Sequence, residues 1–174
     1  MKKFLLFLFL GGLPCFSVPK VFLQITKNFT QKADVVLLFQ VEKENYWENF
    51  SNTLSNDLSY SGYFNVESKN FVKDIEGNKD NFPVNIIISV KKQDNKIEVN
   101  VFDNLEETSL FEKNYNIMDD PFYFAHIVND DIVFALVGKP GIAKSRIIFV
   151  SDKTGKYQIY MCDYDGRNLK QITN

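Results

Sequence analysis

The sequence predicts an α+β fold, in which a mixed β-sheet with two helices is followed by a three-stranded β-meander. Three observations support this prediction. Short apolar runs bounded by turn residues recur along the chain, as strands do. Two other segments carry apolar residues at three- and four-residue intervals, which is the period of a helix. The final thirty residues alternate between β-branched or aromatic runs and two glycine-containing turns, which is typical of an up-down-up meander.

Length and composition are those of a folded domain. The chain has 174 residues and a mass of 20.2 kDa, enough for one ordinary domain and a small appendage. Hydrophobic residues make up 45% of the chain and phenylalanine alone numbers 17, so a core can form. The net charge of −2 argues against nucleic acid as a principal partner, because phosphate binding needs concentrated Lys and Arg.

The first 17 residues have the organisation of a cleavable signal peptide. Lys2 and Lys3 give a positive start, and Phe4 to Leu13 is an apolar stretch that is too short to span a bilayer. Small residues at Cys15 and Ser17 fit a cleavage site after Ser17. We therefore predict export to the periplasm. An alternative, ranked second because proline precedes it, is that Cys15 carries a lipid.

Two extended segments precede the first helix. The segment Val18 to Thr26 is rich in β-branched and aromatic residues, and Pro19 prevents a helix across its start. After a linker, Asp34 to Val41 is a continuous apolar run. Such runs are typical of strands that are buried on both faces.

A helix is predicted next, from Asn45 to Leu58, and Gly62 provides its C-terminal cap. Phe64 to Glu67 then reads as a short strand. The residues expected on the buried stripe of the helix are Trp47, Phe50, Leu54 and Leu58.

A charged, glycine-containing loop is predicted from Asn70 to Asn81, and three strands follow it. The strands are Val84 to Lys91, Lys96 to Phe102 and Ser109 to Tyr115. The first two are joined across Gln93-Asp94-Asn95, which indicates a tight antiparallel hairpin.

The second helix is predicted to begin at Asp119-Asp120-Pro121, which offers a carboxylate cap and proline in the first turn, and to end at Gly138. The adjacent acids Asp130 and Asp131 diverge around the helix axis, and we expect them on a solvated face. The expected buried stripe contains Phe122, Ala125, Ile132, Ala135 and Leu136.

The meander is predicted to comprise Arg146 to Ser151, Tyr157 to Asp163 and Leu169 to Thr173. Cys162 is expected to act as a small apolar residue within it. A three-stranded meander buries little apolar surface by itself. In a propeller, the next copy of the repeat would pack against its exposed face. The sequence contains no second copy, so we expect an incomplete blade in residues 141–174 after an α+β domain in residues 18–140.

Three motifs resemble sites of chemistry, and for each a structural role is favoured. Gly138 to Ser145 differs by one residue from a phosphate-binding loop, but a helix precedes it and a strand follows, the reverse of what that loop requires. Asp163 to Gly166 lacks the further ligands of a calcium loop. His126, the sole histidine, is expected to have one hydrogen-bond partner within the core or at the surface. We therefore predict no catalytic, cofactor-binding or metal-binding residues.

Two stretches resemble the TolB family, the periplasmic component of the Tol-Pal system. The first is Leu54 to Phe64, which is similar to the family's "DL-x-x-SG-x-F" helix end. The second runs from Ala125-His126 through Gly138 and Arg146 to Thr173, and resembles the family's second helix and first propeller-blade segment. The resemblance covers most of the chain after the signal peptide.

The resemblance implies an N-terminal α+β domain joined to a six-bladed propeller, with a non-enzymatic role in envelope integrity and cell division and no cofactor. It also implies that the mature N-terminus engages TolA and that the propeller docks Pal. Because most of the propeller has no counterpart here, Pal binding is in doubt, and contact with the membrane is expected only through partners. The residues implied for TolA binding are Val18, Pro19, Lys20, Val21, Phe22, Leu23, Gln24, Ile25 and Thr26.

Two alternatives remain open at the level of the sequence. The chain could be the N-terminal part of an exported propeller peptidase, although it contains no G-x-S-x-G nucleophile motif. It could also be a truncated remnant without a binding role.

Overall fold

The computed structural model describes residues 32–70 and 83–174, which form a five-stranded mixed sheet, two helices and a separate three-stranded sheet. The α+β prediction is therefore confirmed. The segment Val18 to Thr26, the signal peptide and most of the predicted loop after Asn70 lie outside the described residues. The elements in chain order are β1 (Ala33–Gln40), α1 (Asn45–Tyr60), β2 (Phe64–Lys69), β3 (Ile86–Gln93), β4 (Lys96–Asp103), β5 (Thr108–Asn116), α2 (Pro121–Val137), β6 (Arg146–Ser151), β7 (Gln158–Asp163) and β8 (Lys170–Gln171).

The larger sheet has the strand order β2-β1-β3-β4-β5. Strand β1 is parallel to both neighbours, so that Val35 pairs with Val66 on one side and with Ile86 on the other. Strands β3, β4 and β5 run antiparallel. The predicted hairpin between β3 and β4 is present, and Asp94 takes the positive φ of 51° that a two-residue turn requires.

Strand β1 is buried on both faces, as its continuous apolar run predicts. Val35, Leu37 and Phe39 belong to the main core together with the helices. Val36 and Leu38 point the other way and form a second, smaller cluster with Ile87.

Helix α1 presents its predicted stripe to the sheet, and Trp47, Phe50, Leu54 and Leu58 are all buried. The ring of Phe50 lies at the centre of this packing. Its centroid is 6.3 Å from that of Phe39 in β1, 5.7 Å from that of Trp47 and 5.1 Å from that of Phe124 in α2. One aromatic side chain therefore joins both helices to the sheet.

Helix α2 begins and ends as the sequence predicts. The Asp120 carboxylate accepts hydrogen bonds from the backbone N–H groups of Phe122 and Tyr123, at 2.9 and 3.3 Å. At the other end, Gly138 has a left-handed φ of 72° and donates its N–H to Phe134. The predicted stripe is only partly correct, because Phe122 and Ala135 are half-buried. Helix α2 is buried on more than one side, and its further buried residues are Phe124, His126, Val128, Asn129, Asp130 and Val133.

Strands β6, β7 and β8 form the predicted antiparallel meander, with β7 in the middle. The third strand is shorter than predicted and contains only two residues. One side of the meander, here called the apolar face, carries large side chains that remain exposed. Val150 pairs with Ile159, and Ile159 accepts the backbone N–H of Ile172, so these residues share a face. The apolar face comprises Ile148, Val150, Ile159 and Ile172.

Across residues 32–70 and 83–174, neither helix combines the length and the apolar character that crossing a bilayer would require.

Candidate functional site at the junction of the helices and the meander

The turn between β7 and β8 approaches the two helices and brings three ionisable side chains together. His126 of α2 lies between two acids, and only 3% of its surface is exposed. Its Nδ1 is 2.6 Å from Oδ2 of Asp57 in α1, and its Nε2 is 3.7 Å from Oδ2 of Asp165 in the turn. We call Asp57, His126 and Asp165 the junction cluster.

The two acids favour the protonated form of His126. Burial lowers the pKa of this imidazole, but the hydrogen bond and charge of Asp57, together with the charges of Asp165 and Asp163, outweigh burial and leave the pKa above its ordinary value. Burial raises the pKa of Asp57, and the hydrogen bond from His126 opposes that effect. The short contact between the two side chains therefore stabilises the protonated imidazole beside the Asp57 carboxylate.

The Asp165 side chain is oriented by Arg167 from its own turn. Oδ2 of Asp165 is 2.9 Å from Nε of Arg167, and Oδ1 accepts the Arg167 backbone N–H at 3.0 Å. The Arg167 guanidinium stacks 3.5 Å above the ring centroid of Phe122 in α2. The turn therefore contacts α2 at two points, through Asp165 and through Arg167.

The connector between α2 and β6 is held by a second buried acid. The Asp130 carboxylate accepts hydrogen bonds from the backbone N–H groups of Ala143 and Lys144, at 2.9 and 3.3 Å. Gly141 passes so close that a Cβ there would lie 2.2 Å from Oδ1 of Asp130. The prediction that Asp130 lies on a solvated face is therefore wrong, because this connector covers it.

Asp131, the neighbour of Asp130, also has protein partners and is only half exposed. Its Oδ2 accepts a hydrogen bond of 2.8 Å from the Tyr115 hydroxyl. The same oxygen forms an ion pair with Nζ of Lys113 at 2.7 Å. These contacts join α2 to β5. The predicted solvated face is thus incorrect for Asp130, whereas Asp131 remains partly exposed, and the predicted divergence of the two side chains is observed.

The resemblance of Gly138 to Ser145 to a phosphate-binding loop is superficial, as predicted. Helix α2 leads into the segment and strand β6 leads out of it. Two of its amides are occupied by Asp130, so they do not point towards a ligand.

A small cleft of about 80 Å³ adjoins the junction cluster. Asp57 and Tyr164 contribute to its walls, and the connector supplies one side. Asn129 also lines it and has a buried Oδ1 atom without a hydrogen-bond partner in the structure. The cleft is therefore shallow and partly polar, and it lies beside the contact between α1, α2 and the turn.

The chemistry of the junction cluster is that of charge pairing. A histidine oriented by an acid occurs in catalytic triads, where the other ring nitrogen faces a nucleophilic hydroxyl or thiol. Here the other nitrogen faces a second carboxylate and the ring is buried. In the described parts of the chain, no group of three or more His, Cys, Asp or Glu residues is arranged to hold a metal ion.

Sequence reasoning missed the junction cluster because its members are far apart in the chain. His126 and Asp57 are separated by 69 positions, and no spacing rule connects them. The expectation that His126 has one hydrogen-bond partner agrees with its contact to Asp57, and the structure adds a second acid, Asp165, at an ion-pair distance of 3.7 Å from Nε2. The turn assigned to Asp163 to Gly166 is confirmed as a turn, and Gly166 has a φ of 83°.

Sequence comparison identifies several TolB relatives. The chain is 37% identical over 75 residues to a protein TolB homolog of Chlorobium chlorochromatii, and 50% identical over 44 residues to one of Chlorobaculum tepidum. It is 45% identical over 49 residues to the Tol-Pal system protein TolB of Geobacter metallireducens. No family model matches the sequence.

The fold agrees with this sequence similarity. The crystal structure of TolB from Acinetobacter baumannii superposes with a TM-score of 0.65 over 83% of the chain, at 20% sequence identity. The chain is TolB-like.

The likeness covers a limited part of each relative. The aligned residues amount to 42%, 25% and 28% of this TolB-like chain, but only to 17%, 10% and 11% of the three relatives. The superposed residues correspond to 39% of the solved TolB chain.

Proposed function

We propose that this TolB-like protein is a non-enzymatic component of the Tol-Pal system that acts in the periplasm and supports outer-membrane integrity and cell division. The observation that carries the proposal is the agreement between two independent likenesses, in sequence to proteins named TolB and in fold to a solved TolB. The buried, acid-flanked His126 is consistent with a structural rather than a catalytic use of the one histidine.

The proposed division of labour follows the two parts of the fold. Residues 18–140 would form the N-terminal α+β domain and residues 141–174 the first part of a propeller. The extended segment Val18 to Thr26 would bind TolA by adding a strand to an exposed sheet edge of TolA, because its β-branched and aromatic content suits an extended conformation.

The experiment is a pulldown of cognate TolA with the mature chain. Deletion of Val18 to Thr26 should abolish retention of TolA and leave the far-UV circular dichroism of the α+β domain nearly unchanged. A matched control replaces the nine residues with a Gly/Ser segment of equal length, which keeps the length and removes the side chains. Retention of TolA by either variant would contradict the proposed binding segment.

Pal serves as a second bait in the same assay. The described residues form one three-stranded meander, and we expect this 174-residue chain to retain little or no Pal. Strong retention would require a different Pal-binding surface.

The periplasmic location of the protein is tested by a separate experiment. We expect N-terminal sequencing of the protein from a periplasmic extract to begin after Ser17. Recovery of intact Met1 from that fraction would contradict export with cleavage.

A further inference from the structure

We propose that His126 is a pH-sensitive latch, which in its protonated form bridges Asp57 of α1 and Asp165 of the β7–β8 turn, and which releases that turn from the helices when the proton is lost. The latch acts within the chain and needs no partner.

The geometry distinguishes the two protonation states. An imidazolium has an N–H on each ring nitrogen, so it can donate to Asp57 from Nδ1 and face Asp165 with Nε2. A neutral imidazole has one N–H. The short contact of 2.6 Å to Asp57 keeps that proton on Nδ1, and a lone pair on Nε2 then faces the Asp165 carboxylate. The interaction with Asp165 therefore changes from attraction to repulsion.

The charges around His126 come from each element that packs against it. Helix α1 contributes Asp57, and the turn contributes Asp163 and Asp165. Asp130 of α2 adds a further negative charge that acts on Asp57. Cations balance these acids, since Arg167 pairs with Asp165, Arg146 lies 3.7 Å from Asp163 and Lys144 lies 3.8 Å from Asp130. The loss of one positive charge at the centre of this group leaves its acids in excess.

Release of Asp165 from His126 would also affect the contact that Arg167 makes with α2. Arg167 is bound to Asp165 by both its guanidinium and its backbone N–H, and it also covers Phe122. Movement of Asp165 away from His126 therefore withdraws the other contact of the turn with α2. The connector remains attached through Asp130, so the base of the meander stays in place while the turn moves.

The sign of the pH dependence follows from the raised pKa of His126. A group with a raised pKa in the folded state contributes stability that is fully present below its unfolded pKa of about 6.5 and is lost as the pH rises through the folded value. The latch is therefore closed below about pH 6.5 and opens as the pH rises through the raised pKa of His126.

The single histidine makes the test direct. In an untagged chain, the imidazole NMR signal belongs to His126 alone, and its titration gives the pKa of this residue. We expect a midpoint above about 6.5. In D165N the midpoint should fall by about one unit, because one of the two neighbouring negative charges is removed. The control is D152N, the same substitution in the exposed β6–β7 turn, which should leave the midpoint unchanged.

Movement of the turn is measured in the same samples. The backbone amide signals of Gly166 and Arg167 should shift with the midpoint of His126, and this step should disappear in H126Q. If H126Q does not fold, D165N still decides the matter, because Asp165 lies in a turn and its removal leaves the core intact. A His126 midpoint at or below about 6.5, an unchanged midpoint in D165N, or turn signals that do not follow His126 would each overturn the latch.

Discussion

The carboxylate of Asp130 accepts a hydrogen bond of 2.9 Å from the backbone N–H of Ala143, so a side chain of α2 satisfies a buried amide of the connector that leads to the meander. Removal of the acceptor leaves this donor unpaired. We expect D130A to lower the free energy of unfolding by about 1–3 kcal/mol, measured by urea denaturation. D130N retains one acceptor oxygen and should lower the free energy of unfolding by less than D130A does.

The control for this prediction is D119A. Asp119 is exposed just before α2, and its substitution should change the stability by no more than about 0.5 kcal/mol. Equal stability of D130A and D119A would show that the hydrogen bonds to Ala143 and Lys144 contribute nothing.

Gly141 is required for the close approach of the connector to α2. A Cβ at this position would lie 2.6 Å from the Cα of Asp130, which is a backbone atom and cannot rotate away. We expect G141A to destabilise the protein by about 1–3 kcal/mol, as overpacked substitutions do. The measurement is the midpoint of thermal or urea unfolding.

Gly138 provides a comparison for Gly141, because glycine is favoured there by a positive φ and not by a close contact. Its φ is 72°, and among the described residues nothing beyond its own chain neighbours and helix lies within 4 Å of the position that a Cβ would occupy. Asparagine tolerates this left-handed conformation, so G138N should cost about 1 kcal/mol or less. If G138N proved more damaging than G141A, the close contact with Asp130 would not be the controlling feature.

Phe50 is the side chain on which the packing of α1, α2 and β1 converges. Its truncation in F50A leaves a cavity among Phe39, Trp47 and Phe124, and we expect a loss of about 3–5 kcal/mol. Y60A serves as the control on the same helix, since Tyr60 is 67% exposed. Chemical denaturation followed by Trp47 fluorescence measures both. A similar cost for the two variants would contradict the central role of Phe50.

The apolar face of the meander should promote self-association. Ile148 and Val150 are 69% and 63% exposed on strand β6, whose outer edge has no partner strand among the described residues. We expect the double variant I148T/V150T to self-associate less in sedimentation velocity experiments, with a stability change within about 0.5 kcal/mol. The double variant K153T/K156T in the adjacent turn is the control. If both behave like the unmodified chain, the apolar face does not mediate association.

The elements that could be predicted from the sequence are those fixed by local signals. The boundaries of α2 follow from Asp120, Pro121 and Gly138, which act within one turn of the helix ends. The double burial of β1 follows from an apolar run without alternation. The β3–β4 hairpin follows from the residues between the strands.

The junction could not be predicted in the same way. Asp57, Asp130 and Asp165 are polar residues in segments that also contain exposed polar residues, and their burial depends on partners that are remote in the sequence. Hydrophobic periodicity assigns such residues to the solvent by default, which is why it places Asp130 on the wrong face. The position of Asp130 within a strongly apolar helix, close to the buried Val128 and Ile132, is the signal that points to its burial.

The position of β1 between two parallel partners has a consequence for the order of folding. Val35 pairs with Val66 and with Ile86, so both ladders of β1 close over long stretches of intervening chain. Contacts of such high sequence separation slow folding, because loop entropy must be lost before they form. During synthesis β1 emerges first, and its run from Val35 to Phe39 must wait for β3. In that interval the nascent chain exposes an apolar strand, and exposed apolar strands make incompletely folded chains prone to aggregation.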